Sequence, residues 1–190
     1  MPRSRGNLRP QSLHGWRPRV ADLTLVIGGA RSGKSRYAEG LVRRHPGPWH
    51  YIATAQAFDT EMADRIAQHR ADRGPDWITH EAPLELTDAL RGIDEGVVLV
   101  DCLTLWLSNH LLAGSDLTAE AAALEAALQD HPCPVTLVSN EVGWGIVPDN
   151  ALARAFRDAQ GRLNQRLAAR ARHVITTIAG LPLGLKGDLP

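Results

Sequence analysis

Five short runs of mainly apolar, often β-branched residues recur along the chain. They are Leu23 to Ile27, Trp49 to Ala53, Val97 to Asp101, Val135 to Ser139 and Val174 to Ile178. Apolar residues fill successive positions rather than every second one, which predicts strands buried on both faces. Segments of helical periodicity separate them. Over 151–171, Leu152, Phe156, Ala159, Leu163 and Leu167 make one apolar stripe. Arg154, Arg157, Arg162, Arg166 and Arg170 are read as its polar face, and Pro148-Asp149-Asn150 as a helix start. An alanine-rich helix is predicted from Leu117 to Leu128 and another helix from Asp59 to Arg73, capped by Asp59 or Thr60. Leu103 to Leu112 is apolar on most sides, so it is either deeply packed or covered by another subunit. Strands alternating with helices predict an α/β fold: a mostly parallel sheet with right-handed crossovers and helices on both faces. Leu181 to Leu185 adds a short edge strand, since Pro182 lacks the N–H that a central strand needs.

The chemistry concentrates at Gly28-Gly29-Ala30-Arg31-Ser32-Gly33-Lys34-Ser35, which fits G-x-x-x-x-G-K-[ST]. The motif follows the first predicted strand directly and opens onto a helical segment, Arg36 to Val42. Strand, glycine loop and helix together form a phosphate cradle of the P-loop NTPase type. Backbone N–H groups converge on phosphate oxygens, and the helix N-terminus adds positive potential. Lys34 reaches the β- and γ-phosphates, and the Ser35 hydroxyl is a ligand for Mg²⁺. The third run ends in Asp101, a carboxylate at the carboxyl end of a strand. Asp101 is therefore a second candidate Mg²⁺ ligand, the alternative being a cap for the following helix.

Composition narrows the classes of partner. The 190 residues suit one domain, over 21–190, with a formal net charge of zero. Nothing global points to nucleic acid, and no apolar run approaches the ~20 residues that span a bilayer. Residues 1–20 carry Arg3, Arg5, Arg9, Arg17 and Arg19 with no acidic residue, and read as a disordered extension rather than a secretion signal. Cys102 and Cys133 form no metal or redox spacing and read as buried free thiols of a cytoplasmic protein.

In the predicted 59–73 helix, Met62, Ile66 and His69 share a face. Arg65 lies four residues before His69, Arg73 four after it, and Arg70 beside it. That line of cations suits a triphosphate, and a neutral imidazole there is a nucleophile toward phosphorus. By periodicity alone, a half-buried helix histidine among solvated arginines accounts for the same pattern. Glu81 is read as lying in a loop after Trp77-Ile78-Thr79-His80. Glu141 lies in Ser139-Asn140-Glu141-Val142-Gly143-Trp144-Gly145, after the fourth run and on the ligand edge of the sheet. Its glycines mark either tight backbone near a substrate or subunit contact, or simple turn chemistry.

Several blocks together resemble one family. They are the glycine loop, Tyr51 to Ala55, Glu61 to Ile66 with His69-Arg70, Asn140 to Pro148, and Gly161 to Gln165. The family is that of the bifunctional adenosylcobinamide kinase and adenosylcobinamide-phosphate guanylyltransferase of adenosylcobalamin biosynthesis. The resemblance implies phosphorylation of adenosylcobinamide by ATP or GTP, then transfer of GMP from GTP to that phosphate with Mg²⁺. By position, His69 is the residue that carries GMP. The implied nucleotide contacts are Gly28, Gly29, Ala30, Arg31, Ser32, Gly33, Lys34 and Ser35, then Ala53, Thr54 and Ala55, then Arg70, Ala71, Asp72 and Arg73, with Glu81 and Asp101. A cytoplasmic homotrimer is implied too, with the 103–112 helix as a sensible contact. Two rivals need no His69: a P-loop small-molecule kinase without transferase activity, and a nucleotide-gated regulatory protein.

Overall fold

A computed structural model describes residues 22–56, residue 60 and residues 74–190. The predicted 59–73 helix, apart from residue 60, and the arginine-rich residues 1–20 lie outside the described residues. Seven strands are present: β1 (Leu23–Gly28), β2 (Trp49–Ala53), β3 (Trp77–Glu81), β4 (Val97–Asp101), β5 (Val135–Asn140), β6 (His173–Ile178) and β7 (Leu181–Lys186). The described helices are α1 (Lys34–Val42), α2 (Leu86–Arg91), α3 (Leu103–Ala113), α4 (Leu117–Gln129) and α5 (Ala151–Arg170).

The strands form one sheet in the order β3-β2-β4-β5-β1-β6-β7. Every pairing is parallel except β6 with β7, which is an antiparallel hairpin at the edge. All five predicted strands form, and the C-terminal edge strand forms as well. Alternate residues of the five central strands feed two cores. Leu23, Leu25, Ile52, Val98, Val100, Val135, Leu137 and Val174 point to the face covered by α2, α3, α4 and α5. Val26, Tyr51, Val97, Leu99, Val138 and Ile175 point to the other, with Ala38, Leu41 and Val42 of α1. Burial on both faces is why these strands read as continuous apolar runs.

Two elements differ from the sequence reading. Trp77 to Glu81 is a strand, not a loop, paired in parallel with β2. As an edge strand it buries Trp77 but leaves Ile78 exposed, so it lacks a continuous apolar run. The six-residue helix α2 was not anticipated, because Leu86 and Leu90 alone are too few to establish a period. The α3 alternative resolves toward deep packing: Leu103, Trp106 and Leu107 are buried in this chain, although Leu112 is exposed.

Candidate functional site

β1 and β5 are neighbours, and their crossovers leave to opposite faces, toward α1 and toward α5 respectively. The carboxyl edge between such strands is where open α/β sheets bind ligands. The glycine loop stands there. Gly28 ends β1, Gly33 is the N-cap of α1 in the left-handed region (φ 93°), and Lys34 and Ser35 open the helix. A side chain at Gly33 would bring its Cβ to 3.2 Å from Gly180 Cα. Gly180 belongs to the two-residue β6–β7 turn, where Ala179 (φ 53°) and Gly180 (φ 81°) adopt the type I′ form. This turn braces the loop from behind. Gly180 N–H donates to Ser32 O at 3.0 Å, and the Ser32 and Thr177 hydroxyls pair at 2.8 Å.

Lys34 Nζ donates to Gly29 O at 3.2 Å, folding the ammonium over the loop. Burial lowers its pKa, while Cys102 and Asp101 act to raise it. The Asp101 carboxylate accepts from Ser35 Oγ at 3.1 Å and from Tyr51 OH at 2.5 Å. It does not cap α3, whose N-cap is Cys102 with no side-chain capping bond. Ser35 and Asp101 thus juxtapose two hard oxygen donors beside Lys34, the donor type that suits Mg²⁺. Among the described residues, no group of three or more His, Cys, Asp or Glu side chains is placed to hold a metal.

Farther along the edge, Ala53 at the end of β2 is in register with both Asp101 and Glu81. Thr54 is fully buried, its hydroxyl 2.8 Å from the carbonyls of both Asp101 and Cys102. Asn109 Nδ2 clamps the Thr54 and Pro83 carbonyls at 2.9 and 3.0 Å. The Thr54 side chain therefore fastens β2 to β4. Glu81, at the end of β3, lies four strands from β1, about 19 Å at ~4.8 Å per strand. His69, Arg70, Ala71, Asp72 and Arg73 lie outside the described residues.

The sequence reading gave no role to a polar network under the end of β5. Glu141 N–H donates to Gly28 O at 3.1 Å, tying the residue to the start of the glycine loop. Asn164 of α5 donates from Nδ2 to Glu141 Oε1 at 3.0 Å and to Asn140 O at 3.1 Å. Its Oδ1 accepts from Ser139 at 2.7 Å and from Gln160 at 3.0 Å. The signal was available: Gln160 and Asn164, four residues apart, are polar on the buried side of an otherwise amphipathic helix. Gly143 and Gly145 have no positive φ, and among the described residues no non-neighbouring atom lies within 4 Å of where their Cβ would be. Cys102 is half-buried rather than buried, holds a left-handed backbone (φ 75°), and its thiol is raised to about 11 by burial, then by Asp101.

Known proteins are similar to this chain. Residues 24–185 match the family model described as cobinamide kinase / cobinamide phosphate guanyltransferase. The bifunctional adenosylcobalamin biosynthesis protein CobP of Pseudomonas aeruginosa is 49% identical over 168 residues, covering 86% of this chain and 97% of the relative. CobU of Salmonella typhimurium, described as a bifunctional adenosylcobalamin biosynthesis protein, is 43% identical over 182 residues, covering 86% and 99%. A solved Pyrococcus horikoshii structure, PH0250, shares the fold with a TM-score of 0.53 at 7% identity, covering 88% and 87%. On the extent and identity of these matches, the chain belongs to the cobinamide kinase / cobinamide phosphate guanyltransferase family.

Proposed function

We propose that this chain phosphorylates the aminopropanol hydroxyl of adenosylcobinamide with ATP or GTP, then transfers GMP from GTP to that phosphate. The products of the second step are adenosylcobinamide-GDP and pyrophosphate. Family membership supports the pair of activities. The observation that carries the kinase half is the Ser35–Asp101 pairing at 3.1 Å, directly beside Lys34. In this reading the N–H groups of Gly29 to Gly33 and the α1 N-terminus bind the β- and γ-phosphates. Lys34 leaves Gly29 O and moves onto the γ-phosphate, where charge develops during transfer. Ser35 and Asp101 would hold Mg²⁺, which would offset the negative charge of the phosphates.

For the second half, the His69 imidazole nitrogen attacks the α-phosphorus of GTP. An N–P bond forms as the bond from the α-phosphorus to the α–β bridging oxygen breaks, and pyrophosphate leaves. The acceptor phosphate then displaces the imidazole, which leaves readily when protonated. Ala53 to Ala55, Arg70 to Arg73 and Glu81 contact the nucleotide in this reading. Their described members line one edge of the sheet on the side of Asp101 away from β1.

The reading includes a cytoplasmic homotrimer. Two free cysteines suit a reducing compartment, and among the described residues no helix is long and apolar enough to cross a membrane. Because α3 spends its apolar side chains inside the chain, the exposed Leu181, Leu183 and Leu185 of β7 are the better-supported contact.

The test is reconstitution with adenosylcobinamide, Mg²⁺ and ATP or GTP, followed by mass spectrometry of the products. Phosphorylated cobinamide should appear first and the GDP adduct only with GTP. Replacing Lys34 by Ala should slow the first step by about 10²–10³, and chelating Mg²⁺ should stop both. Accumulation of the phosphate without any GDP adduct would leave only the kinase.

A further inference from the structure

We propose that Glu141 is the general base of the kinase step. Its carboxylate takes the proton of the acceptor hydroxyl as that oxygen attacks the γ-phosphorus held on the glycine loop. The inference rests on the kinase reading above. The new bond joins the hydroxyl oxygen to the γ-phosphorus. The bond from that phosphorus to the β–γ bridging oxygen breaks, and the electron pair leaves with the nucleoside diphosphate. The hydroxyl proton passes to Glu141 and later to solvent.

Placement is the first argument. Glu141 is the first residue past β5, and its N–H is bonded to Gly28 O at the root of the loop. β5 lies between β1, which leads to Lys34 and Ser35, and β4, which ends in Asp101. Among the described residues, the other carboxylates on this edge are committed or distant. Both oxygens of Asp101 accept hydrogen bonds, from Ser35 and Tyr51. Glu81 stands at the far strand, about 19 Å from β1 by strand spacing.

The second argument is that the carboxylate is held. Asn164 is 5% exposed and grips Glu141 Oε1 from below. Its amide cannot be flipped, because Nδ2 faces a carbonyl and a carboxylate, both of which only accept. Ser139 and Gln160, both fully buried, fix the other end of that amide. A buried, hydrogen-bonded chain of this kind rigidifies the group it holds. Gly143 and Gly145 present no side chain, and Trp144 and Ile146 are 73% and 97% exposed, offering apolar surface to an acceptor.

The third argument is chemical. The acceptor of the first step is a neutral hydroxyl that must lose a proton, whereas the acceptor of the second is a phosphate already ionised. A base is required only once, so its loss should separate the two activities.

The experiment measures both half-reactions in the full chain for Glu141→Gln, Glu141→Asp, Asn164→Ala and Lys34→Ala. Gln keeps the acceptor for Asn164 but cannot take the proton. For Glu141→Gln the kinase kcat should fall by about 10²–10⁴, with nucleotide KM near wild type and GMP transfer to supplied cobinamide phosphate retained. Glu141→Asp should recover part of the rate. Asn164→Ala should lower kinase kcat by up to about 10² through misplacement, again without a matching change in nucleotide KM. A Glu141→Gln enzyme with wild-type kinase kcat, or one that loses both half-reactions equally, overturns the proposal. If Lys34→Ala keeps its kinase rate, the kinase reading of the glycine loop has failed instead.

Discussion

Lys34 and Cys102 feel the same carboxylate, Asp101, with opposite consequences. For Lys34, burial lowers the pKa and Asp101 opposes the shift, so the charged form that the proposed phosphate contact needs is favoured by its neighbour. For Cys102, burial and Asp101 act together and push the thiol up to about 11. A reactive thiolate is therefore scarce at neutral pH, despite the residue's partial exposure and place beside the site. Peptide mapping after iodoacetamide treatment should find Cys102 slow to alkylate near neutrality, with the rate climbing toward pH 11. Alkylation at neutral pH as fast as that of a free cysteine peptide would contradict this account. The residue-scale lesson concerns context. Lys34 and Asp101 announce themselves by motif, whereas Cys102 acquires its character from an αL backbone and from neighbours distant in sequence.

At the scale of elements, the β6–β7 hairpin is the unexpected structural support of the glycine loop. Its turn and Thr177 hold Ser32 in place. Replacing Thr177 by Val leaves the buried Ser32 hydroxyl without that partner, at a cost of about 1–3 kcal/mol. Urea unfolding should register the loss, and nucleotide affinity should weaken with it. Unchanged stability and affinity would mean that the hairpin merely lies alongside the loop. This brace was illegible in the sequence, since Ser32 and Thr177 are 145 residues apart and neither belongs to a shared pattern. The central strands were legible for the opposite reason. Val97 to Asp101 and Val135 to Asn140 are buried on both faces, so their own composition reports their environment. β3 escaped because an edge strand satisfies one neighbour only, and its Trp77-Ile78-Thr79-His80-Glu81 pattern is shared with loops. Glu141 was visible as a residue but not as a held carboxylate, because Asn164, itself held by Gln160, reaches it from a helix that begins ten residues later.

For the whole molecule, the sheet distributes the chemistry along one edge and stability along its width. Far from the glycine loop, His50 and His80 pair across β2 and β3, with Nδ1 to Nε2 at 2.9 Å. Burial and His80 lower the His50 pKa, and Glu95 opposes them. A histidine held neutral in the fold binds fewer protons than in the unfolded chain. Stability is therefore full above its ordinary value of ~6.5 and is lost as pH falls below it. The urea midpoint should drop between pH ~7.5 and ~5.5, and His50→Gln should flatten that dependence. A dependence of equal slope in the variant would assign it elsewhere.

The account's central claim is that one chain carries out both phosphoryl and guanylyl transfer, the second through a histidine-bound GMP. The most direct measurement incubates the protein with Mg²⁺ and GTP labelled at the α-phosphorus, then follows the label through denaturing electrophoresis. The account predicts a labelled band that survives base, is lost in mild acid, and is absent from His69→Ala. An intact, nucleotide-binding protein that takes up no label, or a label that persists in His69→Ala, would contradict it.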